Sequence, residues 1–307
     1  MRPLCAFGCL LALTASLPAQ TSTPKKKDDP TAIGTRDVGK GINLYSLEKE
    51  IALGKQIAQE VTRQAKVVDD PLLSEYVNRM GQNLARNSDA RVPFTFTVIE
   101  GDTPNAFAVP GGYVFVYTAL IKIASEESEL AAAMAHEIAH VAARHMTRQA
   151  TRSQIAGIAT IPLILLPGGP YARQAVPAGF LKFTRQDEEE ADYLGLQYLY
   201  AAGYDPNAVV SIFEKLASLE RKEPSAVARI FSTHPTESAR IQNAEREIER
   251  ILPPKSEYVI NTSEYTSMRQ RLIDAKPVAR RRPTLESPRD VPVDTDRPTV
   301  RRQERPE

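Results

Sequence analysis

Beyond its first nine residues the 307-residue sequence contains no cysteine, and it contains only four histidines. Cys5 and Cys9 both fall in an N-terminal segment that reads as a removable leader, so the rest of the chain can form no disulfide and needs no particular redox compartment. No charge of one sign dominates either. The formal charge of +1 gives no global field, so composition argues neither for a nucleic-acid partner nor for an acidic substrate. No apolar run reaches the roughly 20 residues needed to cross a bilayer, and no internal repeat points to a solenoid. What is present, 42% apolar and 25% charged residues, is enough for a packed core of one large or two small domains.

The leader has three parts: Arg2 as a short positive start, an apolar run over 4–17, and Pro18-Ala19 before a polar stretch. That order is the order of a secretory signal peptide over 1–19, with cleavage after Ala19. Ala6-Phe7-Gly8 before Cys9 is a poor lipidation signal and comes too early. A soluble periplasmic or secreted protein, without a lipid anchor, is therefore expected.

Residues 20–41 are rich in Lys, Asp, Thr and Gly and read as a flexible linker. From there to 255 the pattern is that of a folded domain. Ser46 caps a helix carrying Leu47, Ile51, Ile57 and Val61, and Asp70-Pro71 opens a second with Leu73, Val77, Met80 and Leu84. The period then shortens to two: Phe94, Phe96 and Val98 alternate with threonines, and a Pro-Gly-Gly turn leads into a strand over 113–117. Ser125 is placed to cap a long helix running through His136 and His140 to about Gln149, with Glu126, Glu127 and Glu129 at its positive end. Further helices are expected over about 184–202, stopped by Gly203, then after Asp205-Pro206, and from Pro235 to before Pro253-Pro254. The fold class is α+β and mostly helical, with a small sheet beside the histidine-bearing helix. Residues 256–307 form a C-terminal extension, disordered after about 276, where six prolines mix with charges and no apolar period survives. The apolar stretch 155–166 is too short to span a membrane and reads as a buried helix-loop over the site or a membrane-touching lid.

The chemistry concentrates on His136-Glu137-Ile138-Ala139-His140. Residues four apart share one helix face, so the two imidazoles converge on a point where a zinc ion can sit about 2.0–2.1 Å from each nitrogen. Glu137 projects beside that point, where it can take a proton from water. A catalytic zinc needs a third protein ligand, and without cysteine this must be His, Asp or Glu. His145 lies five residues past His140, off the ligand face. The densest carboxylate cluster is Asp187-Glu188-Glu189-Glu190-Ala191-Asp192, with Glu188 and Asp192 on one face and Gly195 behind them to admit a neighbouring helix. One carboxylate can bind zinc while another orients a ligand histidine; periodicity does not choose among Glu188, Glu189 and Glu190.

Residues 46–252 resemble the HtpX and CAAX-prenyl-protease family of zinc metallopeptidases, peptidase family M48, and in particular its soluble periplasmic branch. The resemblance is carried by Asn105-Ala106-Phe107-Ala108-Val109-Pro110-Gly111-Gly112, Ser128-Glu129-Leu130-Ala131, and 136–145 ending Arg144-His145. It continues through Thr184-Arg185-Gln186-Asp187-Glu188-Glu189-Glu190-Ala191-Asp192, Ala202-Gly203-Tyr204-Asp205-Pro206, and Ser232-Thr233-His234-Pro235 with Arg240-Ile241. It implies a zincin-like, gluzincin fold, one zinc per chain, Glu188 as third ligand and Asp192 as a proton donor. It implies too that the strand region from Asn105, Ala106, Phe107 and Ala108 to Tyr117 pairs with an extended peptide. Thr184 replaces the usual serine. The helical repeats of that branch have no counterpart after 252, so repeat-mediated partners are not carried over.

The expected activity is that of an envelope endopeptidase acting on unfolded or misassembled polypeptides, with envelope assembly machinery as a candidate partner. Zinc would acidify water to a pKa near 7 and Glu137 would act as base. His234 and Arg240 are candidates for stabilising the oxyanion, and His234 also for a switch ligand on the metal. The rival class is a zinc-binding chaperone that rarely cleaves. A purely structural zinc needs no adjacent base, so Glu137 disfavours a vestigial motif.

Overall fold

The computed structural model describes residues 26–156, 183–222 and 238–274. The expected leader over 1–19, residues 157–166 of the apolar stretch, His234 and the chain after 274 lie outside the described residues.

Local chemistry starts the first two helices where the sequence places them. Ser46 Oγ accepts from Lys49 N–H at 3.3 Å to open α1 (Leu47–Gln64). Asp70 accepts from the N–H groups of Leu72 and Leu73 to open α2 (Pro71–Arg86). The period-two stretches become β1 (Thr95–Ile99), β2 (Ala106–Val109) and β3 (Tyr113–Tyr117). Their order is β1-β3-β2, with β1 parallel and β2 antiparallel to the central β3; Thr95 pairs with Tyr113 and Phe107 with Phe115. Gly111 and Gly112, at φ 76° and 91°, make the turn between β2 and β3 in a backbone region that favours glycine.

Alternation sends Phe107, Val109 and Phe115 to one face, where Ile57, Ala58 and Val61 of α1 cover them. Ala106, Ala108, Val114 and Val116 face the other way, among Leu73, Val77, Met80 and Leu84 of α2. Each fully buried side chain of this size contributes about 1.5–3 kcal/mol. The chain then passes through α3 (Thr118–Ile123) into α4 (Glu127–Ala142), the helix of the two histidines. Leu130, Ala131, Met134, Ala135, Ile138 and Ala139 of α4 are buried all round it, as expected of a helix at the centre of a domain.

Two details of α4 differ from expectation. Its N-cap is Glu126, one residue after Ser125, because Glu129 folds back to accept from the N–H groups of both Ser125 and Glu126. It also ends at Ala142 instead of running on to Gln149. Arg144 takes a left-handed φ of 57°, and a separate helix, α5 (His145–Ile155), leaves in a new direction. Glu50 and the carbonyl of Tyr45 hold the Arg144 guanidinium at this corner. Ile155 at the end of α5 is exposed.

Next come α6 (Arg185–Ala201), capped by Thr184 and Asp187, and α7 (Ala208–Lys222) after an Asp205–Asn207 turn. α8 (Ser238–Ile251) ends before Pro253-Pro254. α6 lies against α4 at closest range at Gly195, where an added Cβ would stand 3.1 Å from the backbone of His136. Among the described residues no helix is long and apolar enough to cross a membrane.

Chain on either side of 42–255 is packed where it is described. Residues 26–41, expected as flexible linker, are bound to the domain: Arg36 is buried, pairs with Asp89 at 2.5 Å and donates to Gln197 at 2.6 Å. Composition suggests a linker because that segment is polar, but its key polar group finds partners 53 and 161 residues away. The extension that begins at 256 opens with α9 (Ser263–Asp274), a helix periodicity did not flag. Its Tyr265 is fully buried and donates to the carbonyl of Ala124 at 2.7 Å. The compact unit continues through Ile273.

Candidate metal centre

α4 carries His136 and His140 one turn apart, and α6 crosses it closely enough to bring Glu188 to the same point. The two Nε2 atoms are 3.0 Å apart, and Glu188 oxygens stand 3.5 Å from each. Among the described residues this is the group of His, Cys, Asp and Glu side chains able to hold a metal ion, and all three are buried. Donors bound tetrahedrally at about 2.0–2.1 Å lie roughly 3.3–3.4 Å apart. The triangle therefore fits zinc, and two imidazoles with one carboxylate are a donor set that zinc accepts.

The neighbouring candidates separate clearly. Glu189 is exposed. Glu190 lies 3.1 Å from His145 Nε2 and 3.0 Å from Arg148 Nη1, on the far side of His140. Asp192 Oδ1 lies 3.0 Å from His136 Nδ1, the ring nitrogen that points away from the triangle. Arg240 clamps the same carboxylate with Nε at 2.7 Å and Nη2 at 2.6 Å, and reaches Glu188 with Nη1 at 3.2 Å. The ring of Phe213 faces its guanidinium at 4.6 Å.

Electrostatics follow from this packing. Burial opposes charge on Asp192, yet the adjacent Arg240 and His136 hold its carboxyl below the usual range. Burial likewise opposes charge on His136, but Asp192 and Glu188 outweigh it and push the metal-free imidazole up to about 9. Asp192 thus stands against the ring nitrogen of His136 that faces away from the triangle. Arg240, a candidate oxyanion stabiliser in the sequence, is buried, bonded to Asp192 and 3.2 Å from the candidate ligand Glu188.

Glu137 is buried beside the triangle, and one of its oxygens accepts from Ala108 N–H at 2.9 Å. That bond ties the glutamate to β2. Asn105 accepts from Tyr117 N–H at 2.9 Å, so Phe107 takes the hydrogen-bonded place opposite β3 while Ala106 and Ala108 turn their backbone groups outward. The strand expected as one substrate-pairing region thus divides: β3 is paired on both sides, and β2 alone has its outer edge towards Glu137. A cavity of about 90 Å³ opens along that edge, bounded by Ala108, Val109, Pro110, His140, Phe183 and Val38.

His145 was set aside in the sequence because a continuous helix turns it away. In the fold it is fully buried with its Nδ1 2.9 Å from His140 Nδ1. The only sequence signal for it was its place at the end of the 136–145 segment. Phe183 stacks on His140 at 4.0 Å between ring centroids, and nothing in the sequence distinguished it.

Residues 71–248 match the family model described as Peptidase family M48. The chain is 33% identical over 251 residues to the Beta-barrel assembly-enhancing protease of Yersinia pestis, covering 77% of this chain and 49% of that protein. It is 33% identical over 225 residues to the protein of the same name in Shigella flexneri, covering 69% and 46%. The Mitochondrial metalloendopeptidase OMA1 of Schizosaccharomyces pombe is 37% identical over 184 residues, 58% of this chain and 52% of that one. The chain thus spans about half the length of the curated relatives it matches. The match covers α2 through most of α8, the elements that build the donor triangle and its surroundings, and the chain belongs to peptidase family M48.

Proposed function

We propose that this protein is a zinc-dependent endopeptidase of the cell envelope that hydrolyses unfolded or misassembled polypeptides. The observation that carries the reading is the buried triangle of His136, His140 and Glu188 with Glu137 beside it, tied to the outward edge of β2. An extended peptide adding to that edge would place its backbone carbonyls next to Glu137 and the triangle. Such pairing reads backbone more than side chains, which suits substrates defined by being unfolded.

When bound, zinc supplies the Lewis acid that polarises the scissile carbonyl and acidifies the attacking water. Glu137 takes the proton from that water and passes it to the leaving amine. Before substrate binds, Ala108 N–H holds the Glu137 carboxylate, and a pairing peptide would take over that donor and free the base; Asp192 orients His136 and Arg240 holds Asp192 and Glu188 together. His234, outside the described residues, is proposed either to occupy the metal's fourth position at rest or to donate to the oxyanion. The leader at 1–19 and the names of the β-barrel assembly relatives support an envelope location and an assembly-linked substrate.

Unfolded casein incubated with the zinc-loaded protein tests the proposal. Cleavage should stop with chelator, return with zinc and be absent in Glu137→Gln. Chelator-insensitive cleavage would overturn the mechanism, and zinc-dependent holding of casein without cleavage would favour the chaperone class.

A further inference from the structure

His145 has no part in the reaction just described, yet it is fully buried against the ligand His140. The contact exists because α4 stops. On an unbroken helix five residues turn through about 500°, which would leave position 145 about 140° around the axis from 140. The left-handed Arg144 ends α4 and turns α5 so that His145 Nδ1 comes to 2.9 Å from His140 Nδ1. On its other side His145 Nε2 lies 3.1 Å from Glu190 Oε2, with Asp187 Oδ1 further off at 3.9 Å. Arg148 holds Glu190 at 3.0 Å and Arg152 holds Asp187 at 2.7 Å.

The direction of these hydrogen bonds follows from their two ends. A carboxylate only accepts, so the proton between His145 and Glu190 belongs to His145 Nε2. A zinc ion on His140 Nε2 would leave that ring's one proton on Nδ1, so in the loaded site His145 Nδ1 must accept it and His145 carries a proton only at Nε2. The proton between the two histidines therefore belongs to His140 Nδ1. His140 Nε2, the atom 3.0 Å from His136 Nε2, keeps its lone pair towards the donor triangle. With the order reversed, His140 Nε2 would carry the proton and be closed to a metal. Phe183 also restrains the His140 ring by stacking, but offers no acceptor and cannot choose the tautomer.

We infer that His145 is a positioning residue for the metal centre, selecting the metal-binding tautomer of His140, with Glu190 and Arg148 setting the proton order. This rests on reading His136, His140 and Glu188 as zinc ligands. Its test is the zinc dissociation constant of His145→Leu, His145→Gln and Glu190→Gln, measured by competition with a chromogenic chelator. Melting in excess chelator is followed alongside. His145→Leu should bind zinc about 10–100-fold more weakly. His145→Gln, whose carbonyl can accept the same proton, should recover most of that loss. Glu190→Gln can donate as well as accept, permits the reverse order, and should lose less than His145→Leu. Wild-type zinc affinity in a His145→Leu protein that melts normally in chelator overturns the inference, as does a glutamine no better than leucine. Long-range ¹⁵N spectra of the zinc-loaded wild type decide the case even where a variant fails to fold. They should show His140 protonated at Nδ1 and His145 at Nε2, and a proton on His145 Nδ1 overturns the assignment. A wild type that binds no zinc removes the endopeptidase reading itself, whereas equal binding by wild type and His145→Leu removes only this role.

Discussion

Gly195→Ala probes the close approach that builds the metal centre. A Cβ at 195 would stand 3.1 Å from both Cα and N of His136 and 3.2 Å from the carbonyl carbon of Ala135. Carbon atoms rest about 3.5–4.0 Å apart, so the contact is short by about 0.4 Å or more. α4 has little room to yield, because Leu130, Met134 and Ile138 around it are fully buried. Overpacking of this kind costs about 1–3 kcal/mol. Alanine regains about 0.8–1.0 kcal/mol of helix propensity over glycine. The net loss of fold stability is therefore small, on the order of 0–2 kcal/mol. The metal site should suffer more. Glu188 lies two turns before Gly195 on α6, so parting α6 from α4 widens donor separations that now measure 3.0–3.5 Å. Metal–ligand distances tolerate roughly ±0.2 Å, less than the displacement required. Zinc affinity should fall by about tenfold or more, equivalent to about 1.4 kcal/mol, while the melt in excess chelator moves only slightly. A variant that melts at or above wild type in chelator and keeps wild-type zinc affinity would refute the argument.

Further variants test single groups. Glu137→Gln should retain zinc and lose about 10² or more in hydrolysis, read by metal analysis and casein turnover on the same sample. Glu188→Ala should lose zinc and Glu189→Ala keep it; the reverse pattern would move the third ligand. Arg240→Leu leaves Asp192 and Glu188 buried without their cation and should cost about 3–5 kcal/mol in chelator melts, partly recovered when zinc is added. For His234→Ala, raised basal cleavage would identify an inhibitory ligand, and a fall of roughly 10²–10³ in kcat an oxyanion donor. Asp187→Asn tests the α6 cap through pH. Burial opposes charge on Asp187, but the Thr184 hydrogen bond and the Arg152 guanidinium hold its carboxyl below its usual value. A depressed folded-state pKa gives stability that is present above the unfolded value of about 3.9 and lost as pH falls through the folded one. The variant's deficit against wild type should therefore be full at neutral pH and shrink on acidification; a deficit constant with pH would sink the electrostatic account.

Elements whose cause lies within one or two turns of chain were legible before any fold was known. Ser46 and Asp70 needed only a hydroxyl or carboxylate ahead of an apolar period to start α1 and α2. The strand over 113–117 needed only alternation after a Pro-Gly-Gly turn. His136 and His140 share a face because the α-helical period makes any pair four apart do so. The choice of Glu188 among three adjacent glutamates was open to periodicity and came from the family resemblance.

Other features depend on groups far apart in the chain, and only the tertiary structure decided them. α4 ends at Ala142 because Glu50 and Tyr45 hold Arg144 in a left-handed corner, although the residues around it favour helix. That corner makes His145 a partner of His140 instead of a histidine on the wrong face. Arg240 reads as a cation near the site, and only the fold pairs it with two buried carboxylates 52 and 48 residues earlier. Residues 26–41 look unstructured until Arg36 meets Asp89 and Gln197. The physical reason is common to all of these. Helix period, caps and turns are settled by short-range sterics and hydrogen bonds, whereas a buried charge is stable only once the fold has brought its partner and excluded water.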